Sequence, residues 1–338
     1  MFEGTPYKLW WEAIFTAPYT YLVPEKRLGW AAPPPARFFF GATSFAHFVR
    51  AAEASLRRKR PVLPLLLGKQ GRHIKLIDLS RVYSLLVAGM PGGGKSNFLR
   101  TLIFSLLCWA HPGYLRVDLI DLKLLLANSL KRLINTYTSL EQARTHIKRL
   151  VVEVQRRSGL LAGFDHIVEY NKHQAAAKAP LLPFRVLIID EYATLILEDK
   201  QLQPSLMRLV QMGRALGIYV VLSTQRPDTD IVTGAVRANF AATACFRVRD
   251  KKNSEIALGF SGAETLQEPG SLLFSWQGDT QECRTPLIAS AHSKLFAHKL
   301  ARLWAPQEDE PLEEAQEAGP AKASKKRSTP TQTQRNSA

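Results

Sequence analysis

The chain has 338 residues, of which 46% are hydrophobic, and 45 lysines and arginines stand against 29 aspartates and glutamates. This length allows one large domain or two ordinary ones, and the apolar content is ample for a buried core, which excludes a wholly disordered protein. The formal charge of +16 favours a polyanionic partner, nucleic acid or an anionic membrane surface, over a basic protein without one.

The cysteines and the hydropathy pattern indicate the cellular compartment of the protein. Cys108, Cys245 and Cys283 are widely separated and odd in number, which indicates neither a disulfide framework nor a zinc cluster and favours a reducing cytoplasm. No apolar run reaches the roughly 18 residues that a membrane-spanning helix needs. We therefore expect a cytoplasmic protein that reaches a membrane only through a partner.

Residues 1–60 are interpreted as an N-terminal adaptor region. The segment Leu9–Val23 is rich in aromatic residues, and the region ends in the basic run Arg57–Arg60. We favour packing of the aromatic segment against the main domain over docking to an interface or a partner.

The stretch from Gly89 to Ser96 matches the phosphate-binding pattern G-x-x-x-x-G-K-[ST]. It follows the apolar run Ser84–Ala88 and precedes a helical run, Asn97–Ala110, which is the strand-loop-helix context that this loop requires. Glycines let the backbone N–H groups face phosphate oxygens near the positive end of the following helix. The sequence therefore predicts an ATP site.

Two residues of this loop have individual predicted roles. Lys95 would contact the β- and γ-phosphates, and the Ser96 hydroxyl would hold Mg²⁺. The complete set of predicted nucleotide-binding residues is Gly89, Met90, Pro91, Gly92, Gly93, Gly94, Lys95, Ser96 and Asn97.

Residues 61–305 alternate strand-like and helical runs, which predicts an α/β domain with a largely parallel sheet flanked by helices. The predicted strands are Ser84–Ala88, Leu115–Asp121, Arg185–Asp190, Tyr219–Ser223 and Ala242–Val248. A helix opens at Ser139 with Gln142 as a capping box, and it has an apolar face of Ala143, Ile147, Leu150 or Val151, and Val154.

Polar residues end three of the predicted strands. Asp190 would hold Mg²⁺, and Glu191 would polarise the attacking water. Gln225 would sense the γ-phosphate, or else simply close a turn. Asp121 and Lys123 could face the nucleotide or the substrate, or serve only the structure.

From residue 306 the composition changes abruptly. An acidic cluster, Glu308–Glu317, is followed by a lysine-rich stretch, and large apolar residues are almost absent after Leu312. We interpret residues 306–338 as a disordered low-complexity tail.

Taken together, these segments resemble the FtsK/SpoIIIE-type DNA translocases over roughly residues 61–304. The segments that carry the resemblance are Leu85–Gly89, Leu119–Lys123, Glu153–Asn171, Val186–Glu191, Gly213–Ile218, Ser223–Pro227, Ile231–Asn239 and Gly262–Glu264. The resemblance implies a RecA-like P-loop motor that assembles as a homo-hexameric ring around DNA and couples ATP hydrolysis to movement.

One departure from the family pattern concerns the arginine finger. Where members often have Asp-Ser-Arg, this chain has Asn253-Ser254-Glu255. Arg214 becomes the preferred catalytic arginine acting on a neighbouring subunit, with Arg237 and Arg249 behind it. The resemblance does not extend to the membrane-spanning N-terminus and the winged-helix DNA reader of cell-division members.

The leading hypothesis is an ATP-driven double-stranded DNA translocase of conjugative or mobile-element transfer. A relaxase or a membrane-anchoring protein is a candidate partner that the sequence does not name. The alternatives are a protein-secretion ATPase of the type VII kind, a chromosome-partitioning motor, and a scaffold that binds nucleotide without hydrolysis.

Overall fold

The structure is a computed structural model that describes residues 61–110, 114–267 and 269–288. It also describes eight flanking helical positions, which are Phe45, Phe48, Ala52, Leu56, Ser293, Lys294, Phe296 and Ala297. Most of the predicted adaptor and the whole predicted tail lie outside the described residues. Over the described part of the chain, no helix combines the length and the apolar character needed to cross a membrane.

A mixed sheet of ten strands forms the centre of the described residues. The strands are β1 (Pro64–Gln70), β2 (His73–Asp78), β3 (Ser84–Ala88), β4 (Leu115–Ile120), β5 (Asn135–Tyr137), β6 (Phe184–Ile189), β7 (Ile218–Thr224), β8 (Ala242–Phe246), β9 (Ser271–Trp276) and β10 (Asp279–Arg284). Their order is β2-β1-β10-β9-β8-β3-β7-β6-β4-β5. The run from β8 to β5 is parallel, and β9, β10, β1 and β2 extend it with antiparallel pairs.

The predicted α/β class with a largely parallel central sheet is confirmed, and the five predicted strands agree with β3, β4, β6, β7 and β8 to within two residues. The largest difference is at β8, which ends at Phe246 because the Arg247 carbonyl accepts a 2.8 Å hydrogen bond from Met90 N–H in the glycine-rich loop. The antiparallel extension was not predicted. In β10, for example, only Cys283 is buried, so no apolar run marks the strand.

Helices fill the connections between the strands. They are α1 (Leu79–Val82), α2 (Lys95–Trp109), α3 (Ala127–Leu130), α4 (Leu140–Leu160), α5 (Ile167–Ala176), α6 (Tyr192–Glu198), α7 (Leu202–Leu216), α8 (Gly234–Asn239) and α9 (Lys251–Leu258), with a 3-10 turn at Ala263–Thr265. Helix α7 packs against α4 and β7, and α2 packs against β1. Every residue of β3, β6 and β7 is buried, as expected for parallel strands at the centre of a sheet.

Helix α4 begins as the sequence predicts. The Ser139 hydroxyl accepts a 3.2 Å bond from Gln142 N–H, and the Gln142 side chain accepts a 2.9 Å bond from Thr138 N–H. Of the two candidates for its apolar face, Leu150 is fully buried and Val151 is only partly buried. The cap satisfies N–H groups that the first helical turn leaves without a helical partner.

A buried ion pair joins α4 to the end of α7 and to the segment before β6. Arg157 is fully buried and pairs with Glu153 at 2.7 Å. Its guanidinium also donates to the carbonyls of Leu216 and Pro183, each at 2.8 Å. These carbonyls lie just before β7 and β6, so the Arg157 side chain connects the starts of both strands to α4.

Phe45, Phe48, Ala52 and Leu56 belong to the same hydrophobic core as the sheet. They lie within residues 1–60, the predicted adaptor region. The division of the chain at residues 60 and 305 stays a prediction.

Candidate nucleotide-binding site

The candidate site lies at the carboxyl edge of the parallel strands. The strands β3, β4, β6 and β7 run parallel and in register, so the loops that follow them emerge together. This edge is where open α/β sheets bind ligands. It brings together the glycine-rich loop, Lys123, Asp190, Glu191 and Gln225.

The glycine-rich loop adopts a backbone conformation that depends on its glycines. Gly89 has φ +150°, and a Cβ there would lie 2.6 Å from Cβ of Phe246. Gly94 has φ +111° and lies close to Gly270, whose N–H donates to the Gly93 carbonyl at 3.0 Å. The loop is therefore shaped both by its own residues and by the segments after β8 and before β9.

Lys95 begins α2 and is 5% exposed. Its ammonium group donates to the Gly89 carbonyl and, at 3.0 Å, to the Met90 carbonyl, so it reaches back over the loop. Burial lowers the pKa of Lys95 to about 8, against the opposing effect of Glu191 and Asp190. The lysine is thus held in the concave face of the loop, with both carboxylates nearby.

Asp190 follows β6 and is buried. Burial, followed by the negative charges of Asp121 and Glu191, raises its pKa to about 6, and Lys95 acts in the opposite direction. Because burial and the neighbouring carboxylates disfavour the negative charge of Asp190, a cation bound there would stabilise that charge. Oxygen ligands from Asp190 and the Ser96 hydroxyl fit Mg²⁺ chemically.

Glu191 is held by contacts from two different strands. Its Oε1 accepts hydrogen bonds from Gln225 N–H at 3.1 Å and from the Thr224 hydroxyl at 3.3 Å. Its Oε2 lies 3.5 Å from the ammonium nitrogen of Lys123. Sequence reasoning missed Thr224 and left Lys123 undecided, because nothing local in either segment identifies Glu191 as the partner.

Two candidate positions have side chains engaged in structural contacts. The Asp121 carboxylate accepts three backbone N–H bonds, from Lys123, Leu126 and Ala127. Of the two alternatives for Asp121, a contact with the ligand or a structural role, these bonds favour the structural role. The Asn97 side chain bonds the Pro286 carbonyl and Ile288 N–H, each at 2.7 Å. Any contact of Asn97 with a nucleotide would therefore come from its backbone.

Arg214 is not brought to this chain's own loop. Its guanidinium lies 4.1 Å above the ring centroid of Tyr83, and Nη2 donates to the Tyr83 hydroxyl at 3.3 Å. Tyr83 precedes β3 whereas the glycine-rich loop follows it, so the five residues of the strand separate them by roughly 16 Å. Arg214 is exposed at the opposite edge of the sheet.

The other arginine candidates also lie at the surface. Arg237 donates to the carbonyls of Glu255 at 2.9 Å and Ile256 at 3.5 Å near the end of α9, and Arg249 is exposed just before that helix. Within α9, Ser254 is buried and its hydroxyl donates to the Phe260 carbonyl at 2.9 Å. Glu255, at the position of the missing arginine, is exposed on the surface.

Comparison with known proteins gives a family match. The model of the FtsK/SpoIIIE family matches residues 49–229. The chain is 37% identical over 226 residues to the DNA translocase FtsK of Treponema pallidum (strain Nichols), covering 64% of this chain and 28% of that protein. It is 34% identical over 232 residues to the DNA translocase SpoIIIE of Bacillus subtilis (strain 168), covering 64% of this chain and 29% of that one. The chain thus spans less than a third of these relatives.

Solved structures share the fold. The pCW3 conjugation coupling protein TcpA, in a monomer form with ATPγS, is 26% identical with a TM-score of 0.65, covering 71% of this chain and 70% of that one. The cytoplasmic domain of the type VII secretion ATPase EccC of Thermomonospora curvata is 20% identical with a TM-score of 0.63, covering 73% of this chain and 33% of that one. The second similarity concerns the fold alone.

The family match covers more than half of the chain, and its glycine-rich loop and strand-end carboxylates meet at one edge of the sheet. The chain has the α/β fold of the P-loop ATPases and belongs to the FtsK/SpoIIIE family.

Proposed function

We propose that this chain is an ATP-hydrolysing motor that moves double-stranded DNA. The observation that carries the proposal is the convergence of Lys95, Asp190 and Glu191 at one edge of the sheet. Phosphoryl transfer needs a phosphate-binding lysine, a metal-facing carboxylate and a group that orients water, and these three residues supply that set. The names of the relatives support DNA as the substrate.

In the proposed hydrolysis, Lys95 leaves the loop carbonyls and contacts the β- and γ-phosphate oxygens. Mg²⁺, held by Ser96 and Asp190, would neutralise charge on the phosphates. Glu191 polarises a water molecule and accepts a proton from it as the water oxygen bonds to the γ-phosphorus. The bond to the β–γ bridging oxygen breaks, and ADP and inorganic phosphate leave. Gln225, whose N–H holds Glu191, relays loss of the γ-phosphate to the loop after β7.

We further propose that six copies form a ring and that Arg214 completes the neighbour's site. Its position at the sheet edge opposite the glycine-rich loop supports action in trans, because a head-to-tail ring brings unlike surfaces of adjacent subunits together. The likeness to a conjugation coupling protein favours a role in conjugative or mobile-element transfer, with a relaxase or membrane anchor as a further partner. In this proposal residues 1–60 are an adaptor and residues 306–338 a tail.

The test is the rate of ATP hydrolysis without DNA, with duplex DNA and with single-stranded DNA, paired with displacement of a triplex-forming strand. Stimulation by duplex together with displacement is the expected result. The Lys95→Ala variant is the control for contaminating ATPase. Turnover that no DNA stimulates would contradict the DNA proposal and favour the protein-secretion alternative, whereas nucleotide binding without turnover would favour the scaffold.

A further inference from the structure

The turn after β4 brings a cation to Glu191. Lys123 Nζ lies 3.5 Å from Glu191 Oε2, and the Lys123 side chain is 41% exposed whereas that of Glu191 is 7% exposed. An exposed lysine has a long flexible stem and can change partners at low cost. The buried carboxylate, by contrast, is fixed by Gln225 N–H and the Thr224 hydroxyl.

Hydrogen bonds to Asp121 hold the backbone around Lys123. The buried Asp121 carboxylate accepts N–H bonds from Lys123 at 3.2 Å, Leu126 at 2.7 Å and Ala127 at 2.9 Å. Leu124 adopts φ +58°, a left-handed conformation that non-glycine residues rarely take, and its N–H donates to the Asp121 carbonyl at 3.3 Å. The turn therefore directs the base of the Lys123 side chain while its ammonium group stays movable.

The two oxygens of Glu191 differ in their partners. Oε1 accepts both hydrogen bonds from the end of β7, whereas Oε2 is buried, accepts no hydrogen bond among the described residues and contacts Lys123. The other lysine at this edge, Lys95, is bound to carbonyls of the loop. Lys123 is thus the cation that covers the oxygen available for a water molecule.

We propose that Lys123 is a catalytic residue whose ammonium group exchanges Glu191 for the γ-phosphate of ATP. Without a triphosphate its ammonium pairs with Glu191 Oε2. With ATP bound it moves to a γ-phosphate oxygen, which frees Oε2 to orient water. The inference rests on the proposed function, since it presupposes that ATP binds at Lys95. ADP lacks the γ-phosphate, so Lys123 should distinguish the two nucleotides.

The test measures the affinity of Lys123→Met and Lys123→Arg for a non-hydrolysable ATP analogue and for ADP, each with Mg²⁺, by calorimetry. In Lys123→Met we expect the Kd of the analogue to rise about tenfold, because the lost γ-phosphate contact is stronger than the partly exposed ion pair with Glu191 that it replaces, with the ADP Kd within about twofold. Lys123→Arg should recover most of the analogue affinity. Lys131→Met, at an exposed lysine after α3, is the matched control and should change neither value.

The outcomes separate this inference from the proposed function. Equal weakening of the analogue and ADP would indicate a structural role and overturn it, as would unchanged analogue affinity in Lys123→Met. A wild-type chain that binds neither nucleotide would refute the proposed function and this inference with it. Matching thermal melting of the variants and the wild type shows that the Kd values refer to folded protein.

Discussion

Lys95 and Glu191 act on different species in the proposed reaction, because the lysine contacts phosphate oxygens and the carboxylate contacts water. Lys95→Ala should therefore abolish detectable ATP binding. Glu191→Gln should keep ATP affinity within a few-fold while turnover falls by about 10²-fold or more, the usual contribution of a positioned base. Calorimetry with the ATP analogue and a coupled ATPase assay measure the two quantities. Undiminished hydrolysis in either variant would refute the assignment of the site.

Arg214 stacks on Tyr83 far from its own glycine-rich loop, so its proposed effect requires a neighbouring subunit. We expect Arg214→Ala to lower turnover in the assembled ring and to leave nucleotide affinity of the isolated chain unchanged. Mixing it with Lys95→Ala subunits should restore part of the activity, because an intact arginine then faces an intact loop. The control is Arg208→Ala, an exposed arginine of the same helix. An equal loss of turnover in Arg208→Ala would contradict a specific role for Arg214.

At the scale of elements, the pair of Glu153 with Arg157 holds α4 to the entrances of β6 and β7. Removing Glu153 would leave the fully buried Arg157 without its counter-charge. We expect Glu153→Ala to lower the free energy of unfolding by about 3–5 kcal/mol. Arg156 also contacts Glu153 but has a side chain that is 47% exposed, so Arg156→Ala should cost less than about 1 kcal/mol. Urea unfolding compares the two, and equal losses would be inconsistent with this account.

The stabilisation that this ion pair gives should decrease as the pH falls. Hydrogen bonds and charge from Arg156 and Arg157 lower the pKa of Glu153 from 4.5 to about 2, although burial acts in the opposite direction. A lowered carboxyl pKa gives stabilisation that is complete above about pH 4.5 and is lost as the pH falls toward 2. The stability difference between wild type and Glu153→Gln should therefore be largest near neutral pH and should shrink over that range. A difference that does not change with pH would argue against the ion pair as its source.

At the scale of the whole molecule, the formal charge of +16 is the property that bears on the proposed binding of DNA. Binding through phosphates releases counterions, so the affinity for duplex DNA should fall by about 10³-fold or more between 50 and 200 mM salt if six or more phosphates are contacted. Fluorescence anisotropy with a labelled duplex measures this slope, with the ATP analogue present to favour assembly. Affinity that does not change with salt would contradict a phosphate-tracking motor.

Much of the fold could be read from local sequence. The five central strands are short apolar runs that end in polar residues. The spacing of glycine, lysine and serine from Gly89 to Ser96 is typical of a loop whose backbone N–H groups bind phosphate. The four antiparallel strands were missed for two different reasons. Strands β2 and β10 have no continuous apolar run. Strands β1 and β9 have short ones, Leu65–Leu67 and Leu272–Phe274, but their places in the sheet depend on pairing with β10 and β8, which are distant in the chain. Asp121 was left undecided because its three N–H partners depend on the path of the following turn.

The sequence by itself determined the fold class, the phosphate-binding loop and the carboxylates at the end of β6, since each depends on residues close together in the chain. Only the tertiary structure decided which groups surround Glu191 and where Arg214 lies. Lys123 follows β4, Glu191 follows β6 and Thr224 ends β7, and their contact depends on the order β7-β6-β4, which hydrophobic periodicity does not encode. Likewise, the stacking of Arg214 on Tyr83 arises because the end of α7 and the start of β3 meet at the amino edge of the sheet.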